Sequence, residues 1–196
     1  MTKIDQWTAV RAAVKRHRHE PIDRDGTMSA AVLIGLLPHE DGPCVIFQVR
    51  SHDVEHHKGE ISFPGGAADP EDPDLRHTAL RESQEELGID PDHVEVLGEM
   101  SHYVTHTGFH VTPYVGVLDR APYPYVASEI EVAEVLDVPL DHLLDPANWS
   151  HTERERDGQT WTMRSYHWGE HVIWGATATM LQRFLSDVAA ELGLDH

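Results

Sequence analysis

Within the 196-residue chain, the segment RESQEELGI, residues 81–89, carries the densest set of groups able to do chemistry. Glu82, Glu85 and Glu86 stand at i, i+3 and i+4, a spacing that on a helix gathers their carboxylates on one face within a turn. Like charges so placed oppose the helix by about 0.2–0.5 kcal/mol per pair. The cluster is therefore costly unless something positive sits on it. Hard cations such as Mg²⁺ and Mn²⁺ take oxygen ligands of this kind. A solvated acidic face with Arg81 as local partner has the same pattern. Just upstream, Phe63-Pro64-Gly65-Gly66 reads as a tight turn. Its glycines let backbone pass close to whatever occupies the glutamate face.

Taken together, residues 65–89, GGAADPEDPDLRHTALRESQEELGI, closely resemble the Nudix box, whose usual form is G-x5-E-x7-R-E-U-x-E-E-x-G-U, with U a bulky aliphatic. Arg81, Glu82, Glu85, Glu86, Gly88 and Ile89 match. Ser83 stands where an aliphatic is usual. The first part of the box is one residue longer, which leaves Asp72 or Asp74 to replace its outer glutamate. Residues 46–66, IFQVRSHDVEHHKGEISFPGG, resemble a second signature, found in the coenzyme A diphosphatase (CoA pyrophosphatase) subgroup of Nudix hydrolases. Arg50, Ser51, Gly59 and Phe63 to Gly66 match it, whereas Glu55 occupies the position of its second arginine, with His56, His57 and Lys58 beside it. Segments at 108–113, 131–135 and 173–178 are also similar, so the likeness spans about residues 29–185.

The resemblance implies an α+β fold, a Nudix-type α/β/α sandwich with a mixed β-sheet between helices. It implies a metal-dependent hydrolase cleaving the diphosphate of coenzyme A or acyl-coenzyme A to 4′-phosphopantetheine and adenosine 3′,5′-bisphosphate. Alternatives are another nucleoside diphosphate derivative, such as NADH or ADP-ribose, or a non-catalytic Nudix-fold binding module. Carried onto this chain, Glu82 and Glu86 are the principal Mg²⁺ or Mn²⁺ ligands. Glu85 is a further ligand, directly or through water, and Gly66 adds a backbone carbonyl. Arg81 orients a glutamate. Glu82 is one candidate general base, with Glu131 and Glu134 as others. Arg50 is the candidate phosphate contact, or else a surface ion pair with Asp53, and Gly65 and Phe63 complete the substrate-binding set. The partner is a small nucleoside diphosphate substrate, and a homodimer is possible.

Several elements must position these groups. An amphipathic N-terminal helix, with Arg11, Lys15, Arg16 and Arg18 on its polar side, precedes breaks at Pro21 and Asp25-Gly26. It is expected as an extension, residues 1–28, packed on a single domain of residues 29–196. Ser29–Leu37 and Cys44–Arg50 read as a hairpin around a turn at 38–43, and Glu60–Phe63 as a short strand. Asp72 is expected to cap the box helix, with Pro73 at its first position and Gly88 at its end. The stripe of that helix is Leu75, Ala79, Ser83 and Leu87. Strands follow at 94–100, 102–107, 111–118 and 131–138, then a short helix at 139–144. A hairpin turns at Asp157-Gly158, and a last helix runs over 176–192 with Met180, Phe184, Val188 and Leu192 as its stripe. Trp174 is expected to pack the core.

Composition narrows the classes. Lys plus Arg number 15 against 34 Asp plus Glu, a net charge of −19. So acidic a chain lacks the cationic footprint that nucleic acid requires. Protonating its 16 histidines would bring the charge to −3, so the acidity changes steeply near pH 6.5. His102, His106 and His110 recur at four-residue spacing. Strand-forming neighbours there argue against a zinc site, since a strand separates such positions by about 13 Å. No apolar run approaches the roughly 20 residues of a membrane span. No secretory leader pattern is present, and Cys44 is the only cysteine, so a cytoplasmic location is expected.

Overall fold

The computed structural model describes residues 3–18, 26–51, 59–156, 159–194 and 196. The apolar run from Ala30 to Leu37 lies within strand β1 (Met28–His39), paired antiparallel with β2 (Gly42–Arg50). The strands extend through both prolines of the expected turn, leaving only Glu40 and Asp41 to reverse the chain. Pro38 and Pro43 oppose each other at the end of this ladder, where a missing N–H costs least.

Further strands are β3 (Ile61–Ser62), β4 (Gly65–Ala67), β5 (Val94–Glu99), β6 (Tyr103–Val104), β7 (Phe109–Leu118) and β8 (Val132–Pro139). The main sheet runs β8-β2-β1-β7-β5, with β3 also on β2, β4 on β1 and β6 on β7. The β1–β7 pairing is parallel and the others are antiparallel, so the sheet is mixed. Gly65-Gly66, read from sequence as a turn, is a strand: Gly66 pairs with Ala31 and Gly65 with Val32. With no side chains between them, the two backbones meet directly.

Helices cover both faces, which explains why β1 is continuously apolar rather than alternating. Ile34 and Leu36 pack with α1 (Lys3–Arg16) and α4 (Gly175–Leu192). Leu33 and Leu37 face the other way, toward Leu87 and Ile89 at the end of α2 (Leu75–Leu87). This is the expected α+β arrangement, a mixed sheet between helices. Cys44 is buried on the α2 side, and that burial pushes its thiol up to about 11.

On the opposite face, α4 buries Met180, Leu181, Phe184, Leu185 and Val188, and α1 buries Ala9, Val10, Ala13 and Val14. Arg11 pairs with Glu95 and Arg16 with Glu191 at the surface. His17 joins Asp187 (Nδ1–Oδ2 2.6 Å) to Ser101 (Nε2–Oγ 2.9 Å). Beyond β8 come α3 (Leu140–Leu144) and a small sheet of β9 (Trp149–Arg156), β10 (Gln159–Trp168) and β11 (His171–Ile173). The turn at Asp157-Gly158 lies outside the described residues. Trp174 departs from expectation: it is 45% exposed, because it sits at the N-terminal end of α4, outside the stripe that packs. No helix among the described residues is long and apolar enough to cross a membrane.

Candidate active site

The carboxylates are carried by α2, whose start differs from expectation. Asp74, not Asp72, is the N-cap, accepting from His77 N–H at 2.7 Å. Gly88 ends the helix at φ 68°. Asp72 is thereby free for another task. Its side chain is only 3% exposed and accepts from Arg81 Nε and Nη2, both at 3.0 Å. Thr78 Oγ1 donates to the same carboxylate at 2.8 Å. The Arg81 fork holds it well below the usual carboxylate range, as a paired guanidinium does. Of the two acids expected to replace the outer glutamate, Asp74 caps the helix and Asp72 pairs with Arg81.

Arg81 also reaches forward. Its Nη1 lies 2.9 Å from Glu82 Oε1 and 3.1 Å from Glu85 Oε2, and Nη2 donates to the Ala67 carbonyl at 3.2 Å. Ser83, the polar residue on the packing stripe, is buried, and its hydroxyl donates to the Ala79 carbonyl at 2.7 Å. The helix itself satisfies it.

Glu86 points inward and is 4% exposed. Gly65 N–H donates to its Oε2 at 2.9 Å, and Arg50 Nη1 lies 3.7 Å from Oε1. Burial outweighs these partners and pushes its carboxyl up to about 7. Burial also raises Glu82; Arg81 opposes the rise, and Glu85 and Glu131 add to it. A Cβ on Gly66 would lie 2.6 Å from the Glu82 carboxyl carbon, so β4 backbone abuts that carboxylate. Glu85 is exposed at the rim.

Glu131 is brought to the site by the chain before β8. Val126 and Ser128 donate backbone N–H to the Leu87 and Glu86 carbonyls, and Ser51 N–H binds the Glu131 carbonyl at 2.8 Å. The free end of α2 is thus capped by the segment that delivers Glu131. Glu134 lies further along β8, 3.4 Å from His171, so it ties the small sheet to the large one. Phe63 is buried and stacks on Phe47 at 5.0 Å, which anchors the chain leading into Gly65. Asp53, Glu55, His56, His57 and Lys58 lie outside the described residues. His102 and His110, expected far apart, have ring nitrogens 3.0 Å apart, because they sit on the two arms of the β6–β7 hairpin. A cavity of about 550 Å³ lies between α1 and α4, lined by His17, Arg183 and Asp187, and none of the box residues lines it.

A sheet–helix layer that sets glutamates of one helix against a glycine strand defines a class, and the comparisons agree with it. Residues 27–155 match the NUDIX domain. The chain is similar to the uncharacterised Nudix hydrolase NudL of Photorhabdus laumondii, with 34% identity over 84% of this chain and 87% of that one. NudL of Pectobacterium atrosepticum is 35% identical over 82% of each. The fold resembles an Ap4A hydrolase of C. elegans (TM-score 0.50, 17% identity, 59% of this chain and 83% of that one). It also resembles a Nudix hydrolase of Alicyclobacillus acidocaldarius (TM-score 0.51, 20% identity, 60% and 81%). The chain belongs to the Nudix hydrolase family.

A divalent cation fits the residues present. Glu86 is buried and Glu82 half-buried, and burial raises each carboxyl. The Gly66 backbone abuts Glu82, and Glu85 stands at the rim, so the donors are hard oxygens suited to Mg²⁺ or Mn²⁺. Among the described residues no three acidic, histidine or cysteine side chains are gathered as a metal-holding group. Arg81 Nη1 bridges Glu82 and Glu85 instead.

Proposed function

We propose that this chain hydrolyses the diphosphate linkage of coenzyme A or its acyl esters, with Glu82 and Glu86 as the principal Mg²⁺ or Mn²⁺ ligands. The observation that carries the reading is the place of Arg50. The coenzyme A-type signature ends its first half at this residue, and its guanidinium stands 3.7 Å from Glu86 Oε1. This nearness supports a phosphate contact from Arg50 beside the carboxylate cluster.

The divalent cation, when bound, neutralises the diphosphate and polarises the phosphorus under attack. The chain's own residues do the rest. Arg50 meets a phosphate oxygen and sets the substrate's register. Gly65 forms the wall on the β4 side, with Phe63 buried behind it as its anchor. Arg81, locked to Asp72, keeps Glu82 and Glu85 in place. Glu82 or Glu131 takes the proton of the attacking water at its carboxylate oxygen.

Hydrolysis of a substrate panel with Mg²⁺ or Mn²⁺, comparing wild type with Glu86→Gln, tests this. Cleavage of coenzyme A into its two phosphorylated halves, lost in the variant, is the expected result. Much faster cleavage of NADH would overturn the coenzyme A reading. Glu55, an anion where the subgroup has a cation, favours that second reading. If Glu55 has cost a contact to the 3′-phosphate, Glu55→Arg will raise use of coenzyme A over dephospho-coenzyme A.

A further inference from the structure

We propose that the cavity between α1 and α4 binds a small phosphate-bearing anion, held by Arg18 and Arg183, at a second site apart from the carboxylate cluster. The proposal does not depend on the reading of the box glutamates as metal ligands.

The cavity has a volume of about 550 Å³, within the range of small-molecule sites. It lies on the face of the sheet that α1 and α4 cover, while the box helix α2 packs on the other. Its lining is unlike the molecule as a whole. The chain has only 15 lysines and arginines against 34 acids. Yet three arginines, Arg16, Arg18 and Arg183, converge here and face two acids, Asp187 and Glu191. Among the described residues no phenylalanine, tyrosine or tryptophan lines the space.

Both acids are already engaged. Asp187 Oδ2 is 2.6 Å from His17 Nδ1, whose Nε2 is 2.9 Å from Ser101 Oγ. Glu191 meets Arg16 Nη1 with both oxygens, each at 2.7 Å. Arg183 has no carboxylate among the described residues. Its Nη1 donates to the His102 carbonyl at 2.7 Å, so a neutral group anchors the guanidinium and leaves its charge uncompensated. Arg18, just beyond the end of α1, is exposed and makes no ion pair among the described residues. Two arginine forks thus reach one space from different elements with no anion between them. A planar carboxylate matches one fork. A phosphate carries oxygens on several sides and accepts from both. A single bare phosphate leaves most of this volume empty, so a diphosphate or a sugar phosphate suits it better. With no large aromatic ring to stack a base, recognition falls on the phosphates.

The test uses the full chain, stripped of divalent metal on a chelating resin, and titrates inorganic pyrophosphate by isothermal calorimetry. About 0.1 M KCl screens the far field. One equivalent should bind. Arg183→Gln removes the anchored charge and should weaken binding by about 10–100-fold. Arg18→Glu reverses an exposed charge and should weaken it by about 10-fold or more; it decides the matter if Arg183→Gln does not fold. Arg50→Gln, at the carboxylate cluster, should leave the affinity at the wild-type value. Citrate offers carboxylates alone and should bind at least ~10-fold more weakly. No binding by wild type, or a wild-type Kd in folded Arg183→Gln or in Arg18→Glu, overturns the proposal. Binding lost in Arg50→Gln also overturns it, because the anion then sits at the carboxylate cluster. Citrate bound as tightly as pyrophosphate overturns the choice of phosphate.

Discussion

Two carboxylates of the site are driven in opposite directions, and each gives a pH-dependent outcome of its own sign. Glu86 is pushed up to about 7 by burial, above the roughly 4.3 of an unfolded chain. Its contribution to stability is therefore fully present below about pH 4 and lost as pH rises through about 7. In metal-free protein, Glu86→Gln should melt with wild type at pH 4 and above it at pH 8. The gap there is on the order of 2–3 kcal/mol, or roughly 5–10 °C. Adding Mg²⁺ at pH 8 should raise the wild type and close the gap, while activity falls by at least ~100-fold in the variant. Asp72 is the reverse case. Arg81 holds it below its unfolded value, so its stabilisation is present above about pH 4 and is lost as pH falls below that. Asp72→Asn should cost about 2–4 kcal/mol at pH 7, shrinking toward acid pH. A melt series from pH 3 to pH 8 reads both.

At the scale of elements, β4 and α2 work as one unit, and the glycines of β4 serve different ends. Gly65 has φ 151°, and a Cβ there would lie 2.4 Å from the Ala31 carbonyl oxygen of β1. Backbone cannot move aside cheaply, so Gly65→Ala should destabilise the fold by about 3 kcal/mol or more. The obstacle at Gly66 is the end of the Glu82 side chain, which can rotate away. Gly66→Ala should therefore fold within about 1 kcal/mol of wild type yet lose at least ~10-fold in kcat. Thermal melts beside kinetics separate the two. The same unit shows what the sequence could and could not convey. The glutamate face and Gly88 were legible because helical spacing and a C-terminal glycine carry their own local signal. The cap was misplaced from Asp74 to Asp72, because both are good caps locally and only the distant Arg81 decides between them. Gly65-Gly66 looked like a turn because strand propensity ignores a partner strand that requires the absence of side chains. Asp72 acquires its role from the Arg81 fork, a contact that the local capping signal does not encode.

For the whole molecule, the net charge of −19 sets how a polyanionic substrate arrives. A substrate steered by opposite charge binds more slowly as salt is added. Here the far field repels, while among the described residues the proposed attraction to the catalytic site comes from Arg50 and from the cation proposed at the glutamates. Monovalent salt screens interactions beyond about 10 Å at 0.1 M, so it weakens the repulsion more than the contacts within the site. At saturating Mg²⁺, raising KCl from about 10 to 100 mM should therefore increase kcat/KM, by roughly 2- to 5-fold. Lowering pH from 7 to 6 acts in the same sense, because 16 histidines begin to titrate, and it should flatten the salt dependence. Stopped assays at low substrate across a grid of salt and pH measure both slopes. A kcat/KM that falls with salt at pH 7 would mean that local cations govern encounter. The acidity would then have no bearing on how substrate is admitted.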